Sequence, residues 1–226
     1  MGSGGGANWT LIGAVLGVAA IAGIIVYAVI QSTTGSSADE IPGFLKAIRD
    51  DSPNLPGQYI PPHPGADGKV CLEVSCLQNN DDRQHFGNGV VWGFCTPEQI
   101  AANQVNGCYT SNPPTSGPHA ASPAQFKVLE NPAPKENLIH SMEHGAVVVW
   151  YNTEDQDVIK QLAAWVQDHL DRRRLVVMTK YTEMEPNTIA LTAWTRLDKF
   201  PVSELTKKRV DDFISAHNKR FNPEGF

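Results

Sequence analysis

Residues 146–181 run AVVVWYNTEDQDVIKQLAAWVQDHLDRRRLVVMTKY, and this stretch decides the fold. Its first six residues are continuously apolar and rich in β-branched side chains, the pattern of a strand buried on both faces. Over 155–170 the period changes. Val158, Ile159, Leu162, Trp165, Val166 and Leu170 fall on one face of an amphipathic helix. Arg172, Arg173 and Arg174 follow where that helix should end, and cations there complement its dipole. Residues 175–181 (LVVMTKY) then read as a second strand.

Downstream, residues 188–196 (TIALTAWTR) alternate and predict a third strand, pairing antiparallel with the second across 182–187. A closing helix is expected over 203–219, with Leu205, Val210, Phe213 and Ile214 inward. Upstream, residues 134–144 predict a short helix, with Pro134 in its first turn and Gly145 as its stop. The order helix-strand-helix-strand-strand-helix implies an α+β domain, a small mixed sheet with covering helices. It resembles the second half of a thioredoxin-like fold, although no dithiol motif accompanies it.

The sharpest chemical signal lies in the first of those helices. His140-Ser141-Met142-Glu143-His144 is an H-x-x-E-H, and helical spacing puts both imidazoles on one face, where they can reach one metal ion. Glu143 lies near that face as ligand, base or orienter, and Met142 is a thioether donor in the same turn. A histidine at a helix C-terminus is also stabilised without any ligand. A third histidine follows a stiff Pro-rich turn, Gly117-Pro118-His119, which can pin it against the pair. Three imidazoles with a carboxylate suit zinc; imidazoles with a thioether suit copper. H-x-x-E-H is also the signature of inverted zincin peptidases. Such an enzyme needs a further ligand, for which only Glu154, Glu183 and Glu185 offer themselves, none in an obvious helix. His63, His85, His169 and His217 sit in loops or on polar helix surfaces and take no role, although His85 lies near the cysteines. No P-loop, G-x-G-x-x-G or G-x-S-x-G occurs, so neither a nucleotide nor a serine nucleophile is implied.

The stretch from Asn112 to His119 (NPPTSGPH), the run from Glu136 to Gly145 (ENLIHSMEHG), AVVVWY and IALTAWTR together resemble a bacterial family known as domain of unknown function 3105. The resemblance covers residues 109–220. It implies one N-terminal membrane helix and matches His119, His140, Glu143, His144 and Gly145 to the family pattern, without naming a reaction. The cysteine-bearing residues 67–110 read as an insertion.

Cys71, Cys76, Cys95 and Cys108 are spaced C-x4-C and C-x12-C, with 18 residues between the pairs. No C-x-x-C or C-x-x-C-H occurs, which excludes the usual redox dithiol, the zinc knuckle and covalent c-type haem. An even count in a polar, loop-rich stretch reads as two disulfides in an oxidising compartment. Three pairings are open, and the local one, Cys71–Cys76 with Cys95–Cys108, is the expectation. Residues 9–30 contain no charge over 22 positions, enough helix to cross a bilayer. No basic start or small-x-small site marks a cleaved leader. Residues 1–31 are therefore expected to anchor the chain, 32–52 to form a linker and short helix, and 53–226 to fold outside the cytoplasm. A net charge of -6 argues against nucleic acid.

Three functions follow. The first is a membrane-anchored, extracytoplasmic metal-binding domain taking copper or zinc through His119, His140, His144, Glu143 and Met142. The second is an accessory subunit of a membrane complex, assembled through Gly13-x-x-x-Gly17, with the Pro-rich arm 52–68 draped over a partner. The third is a metal-dependent hydrolase.

Overall fold

The computed structural model describes residues 51–63, 83–87 and 89–223, all within one compact unit, Ile41–Phe226. The anchor with Gly13 and Gly17, the linker up to residue 50, and Cys71 and Cys76 lie outside the described residues. Among the described residues no helix is long and apolar enough to cross a membrane.

The first half contributes short pieces: β1 (Gln58–Tyr59), β2 (His85–Phe86), β3 (Gly93–Phe94), α1 (Pro97–Ala101), β4 (Cys108–Tyr109) and β5 (His119–Ala120). The second half carries α2 (Lys135–Glu143), β6 (Val147–Asn152), α3 (Gln156–Asp171), β7 (Val176–Lys180), β8 (Thr188–Ala193), β9 (Arg196–Pro201) and α4 (Lys207–His217). Five strands form one sheet in the order β1-β9-β8-β6-β7. Only β6 and β7 run parallel within it, joined through α3; the other pairs are antiparallel. The result is the mixed-sheet α+β domain expected.

Period-two alternation along β6 divides the core. Val147 and Val149 face α3 and α4, meeting Leu162, Val166, Val210, Phe213 and Ile214. Val148 and Trp150 face the other way, meeting Leu138, Ile139 and Met142 of α2. The sheet is thus covered on both faces, which is why AVVVWY carries no polar position. Asp155 caps α3 by accepting from the amides of Asp157 and Val158. At its other end Arg172 pairs with Asp168 at 2.8 Å and Arg174 donates to Ser215 at 2.8 Å, so two of the three arginines are engaged within the domain.

Two strand expectations are corrected. The alternation over 188–196 is not one strand: β8 ends at Ala193, Trp194 and Thr195 turn, and β9 returns antiparallel with Ala193 opposite Arg196. Thr195 takes φ 65°, a conformation favouring glycine. It is held there because its amide donates to Thr115 and its carbonyl accepts from Ile60. Nor does β7 pair with β8. Each flanks β6 on a different side, and residues 181–187 cross the end of β6, where the amide of Tyr181 donates to Tyr151 and the side-chain amide of Asn152 to Met184.

The Pro-rich arm is tied to the sheet as well. As far as residue 63 it lies on its own domain: β1 pairs with β9, and buried Arg196 donates to the carbonyls of Gly57 and Ser52. The cysteine segment is likewise knitted in, with β2 parallel to β5 and β3 parallel to β4.

Candidate metal centre

The last turn of α2 presents His140, Glu143 and His144, and the backbone that ends the helix fixes their aim. Gly145, at φ 85°, is in the left-handed region. Its amide donates to Met142 and that of Ala146 to Ser141, closing the helix in a Schellman motif. His119 arrives on β5, and its partner across the parallel ladder is His85 of β2. Gly117, at φ 124°, lets the chain pass Tyr109, whose hydroxyl donates to the carbonyl of Pro118. A Cβ at 117 would lie 3.1 Å from the Tyr109 ring.

Four imidazoles gather there. The rings of His85 and His140 stack at 4.7 Å, His119 stands edge-on to both, and His140 lies 4.7 Å from His144. Their hydrogen bonds determine which nitrogens face inward. Nδ1 of His119 meets the carbonyl of Gly117 at 2.8 Å, and Nδ1 of His140 meets that of Ala120 at 2.6 Å. A carbonyl only accepts, so both Nδ1 atoms carry hydrogen, and each ring turns its Nε2 inward. Backbone carbonyls that fix a tautomer in this way are the usual support of a metal-ligating histidine.

Glu143 completes the cluster. Its Oε2 lies 2.9 Å from Nε2 of His119 and 3.3 Å from Nε2 of His85, and Arg83 approaches Oε1 at 3.2 Å. Burial pushes its carboxyl up, but the hydrogen bond and charge of His119, with Arg83 and His85, outweigh burial and hold it below the usual range. His140 is pushed down, first by burial and then by the neighbouring His119, His144 and His85, against the raising effect of the Ala120 carbonyl. The buried Glu143 carboxylate thus faces Nε2 of both His119 and His85.

One nitrogen each from His85, His119 and His140 lies within 4.8 Å of the others. A tetrahedral zinc ion holds its nitrogens roughly 3.3 Å apart, so an ion here would draw the rings inward. His85, whose side chain is 37% exposed, has the freedom to follow. Of the expected set, His119, His140 and Glu143 converge, while His144 stands behind His140 with the two Nε2 atoms 2.8 Å apart. Met142 packs into the apolar cluster with Trp194 and Phe221. Glu154, Glu183 and Glu185 are elsewhere, pairing with Lys180, Lys135 and Lys199.

His85, given no role from sequence, is the candidate ligand the structure adds; its partner is long-range, and its local sequence carries no period. The other three histidines are buried rather than solvated. His63 donates to the carbonyl of Cys108 at 2.9 Å, His169 meets Asp211 at 2.9 Å, and His217 donates to the carbonyl of Pro56 at 2.8 Å. Cys95 and Cys108 form the expected disulfide.

Comparison with known families gives one match: residues 89–225 fit the family described as Protein of unknown function (DUF3105). The match begins 20 residues before the expected 109, so the Cys95–Cys108 loop falls within the matched span. No curated protein and no solved structure matches the chain.

Proposed function

The chain belongs to the DUF3105 family, whose description assigns no activity, and we propose from the site itself that the domain binds a transition metal ion through His85, His119, His140 and Glu143. One observation carries the reading: two buried rings have their Nδ1 hydrogens committed to backbone carbonyls, which leaves their Nε2 atoms to the cluster, that of His119 toward the Glu143 carboxylate at 2.9 Å and that of His140 toward Nε2 of His144 at 2.8 Å. Acceptors facing each other at 2.9 Å repel unless a cation or a proton intervenes. Nitrogen and carboxylate donors, with the thioether of Met142 turned into the core, favour zinc over copper. His144 supports His140 from behind, its Nε2 lying 2.8 Å from that of His140.

The position of Glu143 favours one competing reading, in which His119 is protonated and the cluster is an ion-paired core network. Elemental analysis of the full chain, extracted in detergent from an oxidising compartment, separates the two. The metal reading expects about one ion per chain, lost in His119→Ala, and a melting temperature that chelator lowers in the parent protein only, because an ion bound by the native state alone stabilises it. A metal-free protein whose melting is indifferent to added zinc and copper would establish the network instead.

The disulfide supports an oxidising compartment, and the uncharged run 9–30 supports a membrane anchor. We place the domain outside the cytoplasm on those two grounds. Assembly with a membrane partner through Gly13 and Gly17 rests on sequence alone, and the thioredoxin-like order suggests no activity without a dithiol. A hydrolase has the weakest support, since Glu143 is already engaged by Arg83, His85 and His119.

A further inference from the structure

The donors of the histidine cluster are not held alike. His119, His140 and Glu143 are all buried, whereas the side chain of His85 is 37% exposed. Nδ1 of His119 and Nδ1 of His140 each donate to a backbone carbonyl. Among the described residues Nδ1 of His85 has no such partner, and its Nε2 meets Glu143 only at 3.3 Å. The supporting backbone differs in the same sense. His140 stands on the nine residues of α2, as does Glu143, while His85 stands on β2, which is two residues long. The stack of His85 on His140 adds a geometric constraint: the ring planes lie within 10° of parallel at a centroid distance of 4.7 Å. A ring nitrogen's lone pair lies in the plane of its ring, so two rings stacked face to face cannot both aim at one ion. His119 is turned 70° from His140, and no such conflict separates those two. His85 must therefore leave the stack to coordinate, and exposed side chains change rotamer within picoseconds to nanoseconds.

We propose that the centre is an exchange site, in which a divalent zinc ion is cargo and His85 is the swinging ligand that admits and releases it. The inference rests on the metal reading above and adds what the site does with its ion. Held by His119, His140 and Glu143 alone, the ion has its fourth tetrahedral position open. His85 closes that position by swinging off His140 and reopens it by swinging back. A small chelating ligand enters where His85 leaves. One of its nitrogen or oxygen donors replaces the His85 nitrogen, and its further donors then draw the ion off, with no change of oxidation state. A permanent structural ion is held differently: every position is closed by the protein, and the ion leaves only when the fold opens.

Stopped-flow transfer of zinc from the loaded full chain, in detergent, to a chromogenic pyridylazo chelator tests this. The rate should rise with chelator concentration, a dependence read on the parent protein that needs no variant. His85→Ala should still hold about one zinc ion per chain and pass it to the chelator severalfold faster. Free imidazole, which can fill the vacated position, should slow that variant back toward the parent. Without metal the variant should melt with the parent, since the side chain replaced is partly exposed. A parent chain that takes up no zinc would overturn the metal reading and the exchange with it. Zinc that is bound but transferred at a rate indifferent to chelator concentration, or at an unchanged rate in His85→Ala, would overturn the exchange alone. So would a His85→Ala chain that melts like the parent without metal yet holds no zinc, because His85 would then be a fixed ligand.

Discussion

Glu143 is the residue on which the two readings of the histidine cluster part. Glu143→Gln keeps the shape and removes the charge. If an ion is held there, its affinity should drop roughly 10- to 100-fold, as read by competition with a chromogenic chelator. The metal-free protein should then hardly change in stability, since the new amide can donate to the Nε2 lone pair of His119. If instead His119 is an imidazolium paired to Glu143, the substitution strands a buried charge. Denaturant unfolding should then show a loss of about 3–5 kcal/mol. What sequence revealed of this cluster follows the same physics. His140, Glu143 and His144 were legible because helical spacing is local, and His119 because a Gly-Pro turn is stiff. His85 was not legible, nor was the burial of His63, His169 and His217, because each of those side chains is placed by a partner far along the chain. His217, for instance, meets the carbonyl of Pro56.

Among the elements, β6 and the helix before it bear most of the structure, and two substitutions probe them. Gly145 ends α2 and passes close to the C-terminal segment: a Cβ there would lie 2.8 Å from Cα of Lys219 and 3.0 Å from the carbonyl of Phe221. Backbone cannot yield as a side-chain tip can, and φ 85° adds strain for alanine. Gly145→Ala should cost about 2 kcal/mol or more in denaturant unfolding and loosen the aim of His144. Trp150 on β6 donates its buried indole N–H to Thr192 of β8 at 2.7 Å. Thr192→Val leaves that donor without a partner and should cost about 1–3 kcal/mol, whereas Thr192→Ser should recover most of it. If valine and serine behave alike, the hydroxyl is not what holds this pair. The elements also show where sequence reading stops. Periodicity located β6, α3 and β7 to within a residue or two, because each buries a regular face. It ran β8 into β9 because the turn at Trp194-Thr195 has no Gly, Pro, Asn or Asp and is held by bonds from Thr115 and Ile60. It paired β7 with β8 because a loop constrains only which ends meet, while the order of strands is set by which faces need covering.

For the whole molecule, what matters is how the two helical covers and the disulfide loop are tied to the sheet. On one side α3 and α4 are clasped through Asp211, which meets His169 at 2.9 Å and Lys207 at 2.7 Å. Burial pushes its carboxyl up, but Lys207 and His169 prevail, and it sits below the ordinary aspartate range. A depressed carboxyl stabilises above its unfolded pKa and loses that contribution as pH falls through the folded value. The stability gap between parent and Asp211→Asn should therefore be present at neutral pH, smaller than about 1 kcal/mol for a partly exposed group, and close on acidification. A gap that widened toward low pH would contradict the clasp.

On the other side the Cys95–Cys108 disulfide closes a loop over α1, with a sequence separation of 13. In the chain-entropy account a loop of that size contributes up to about 3 kcal/mol. Whether the domain feels all of it depends on whether the loop melts with the core. Tyr109, the residue after Cys108, is buried in the cluster that also contains Leu138, Ile139 and Trp194, and its hydroxyl holds the carbonyl of Pro118 beside His119. On the same segment Cys95 donates its amide to Tyr109, and His63 donates to the carbonyl of Cys108. The loop is thus packed against both the core and the histidine cluster. Replacing both cysteines by serine should lower the midpoint of a single unfolding transition, as followed by tryptophan fluorescence. The same replacement should weaken metal retention, because His119 loses part of its support. A separate early transition that left the main midpoint in place would show the loop to be a satellite, and metal retention should then survive it unchanged.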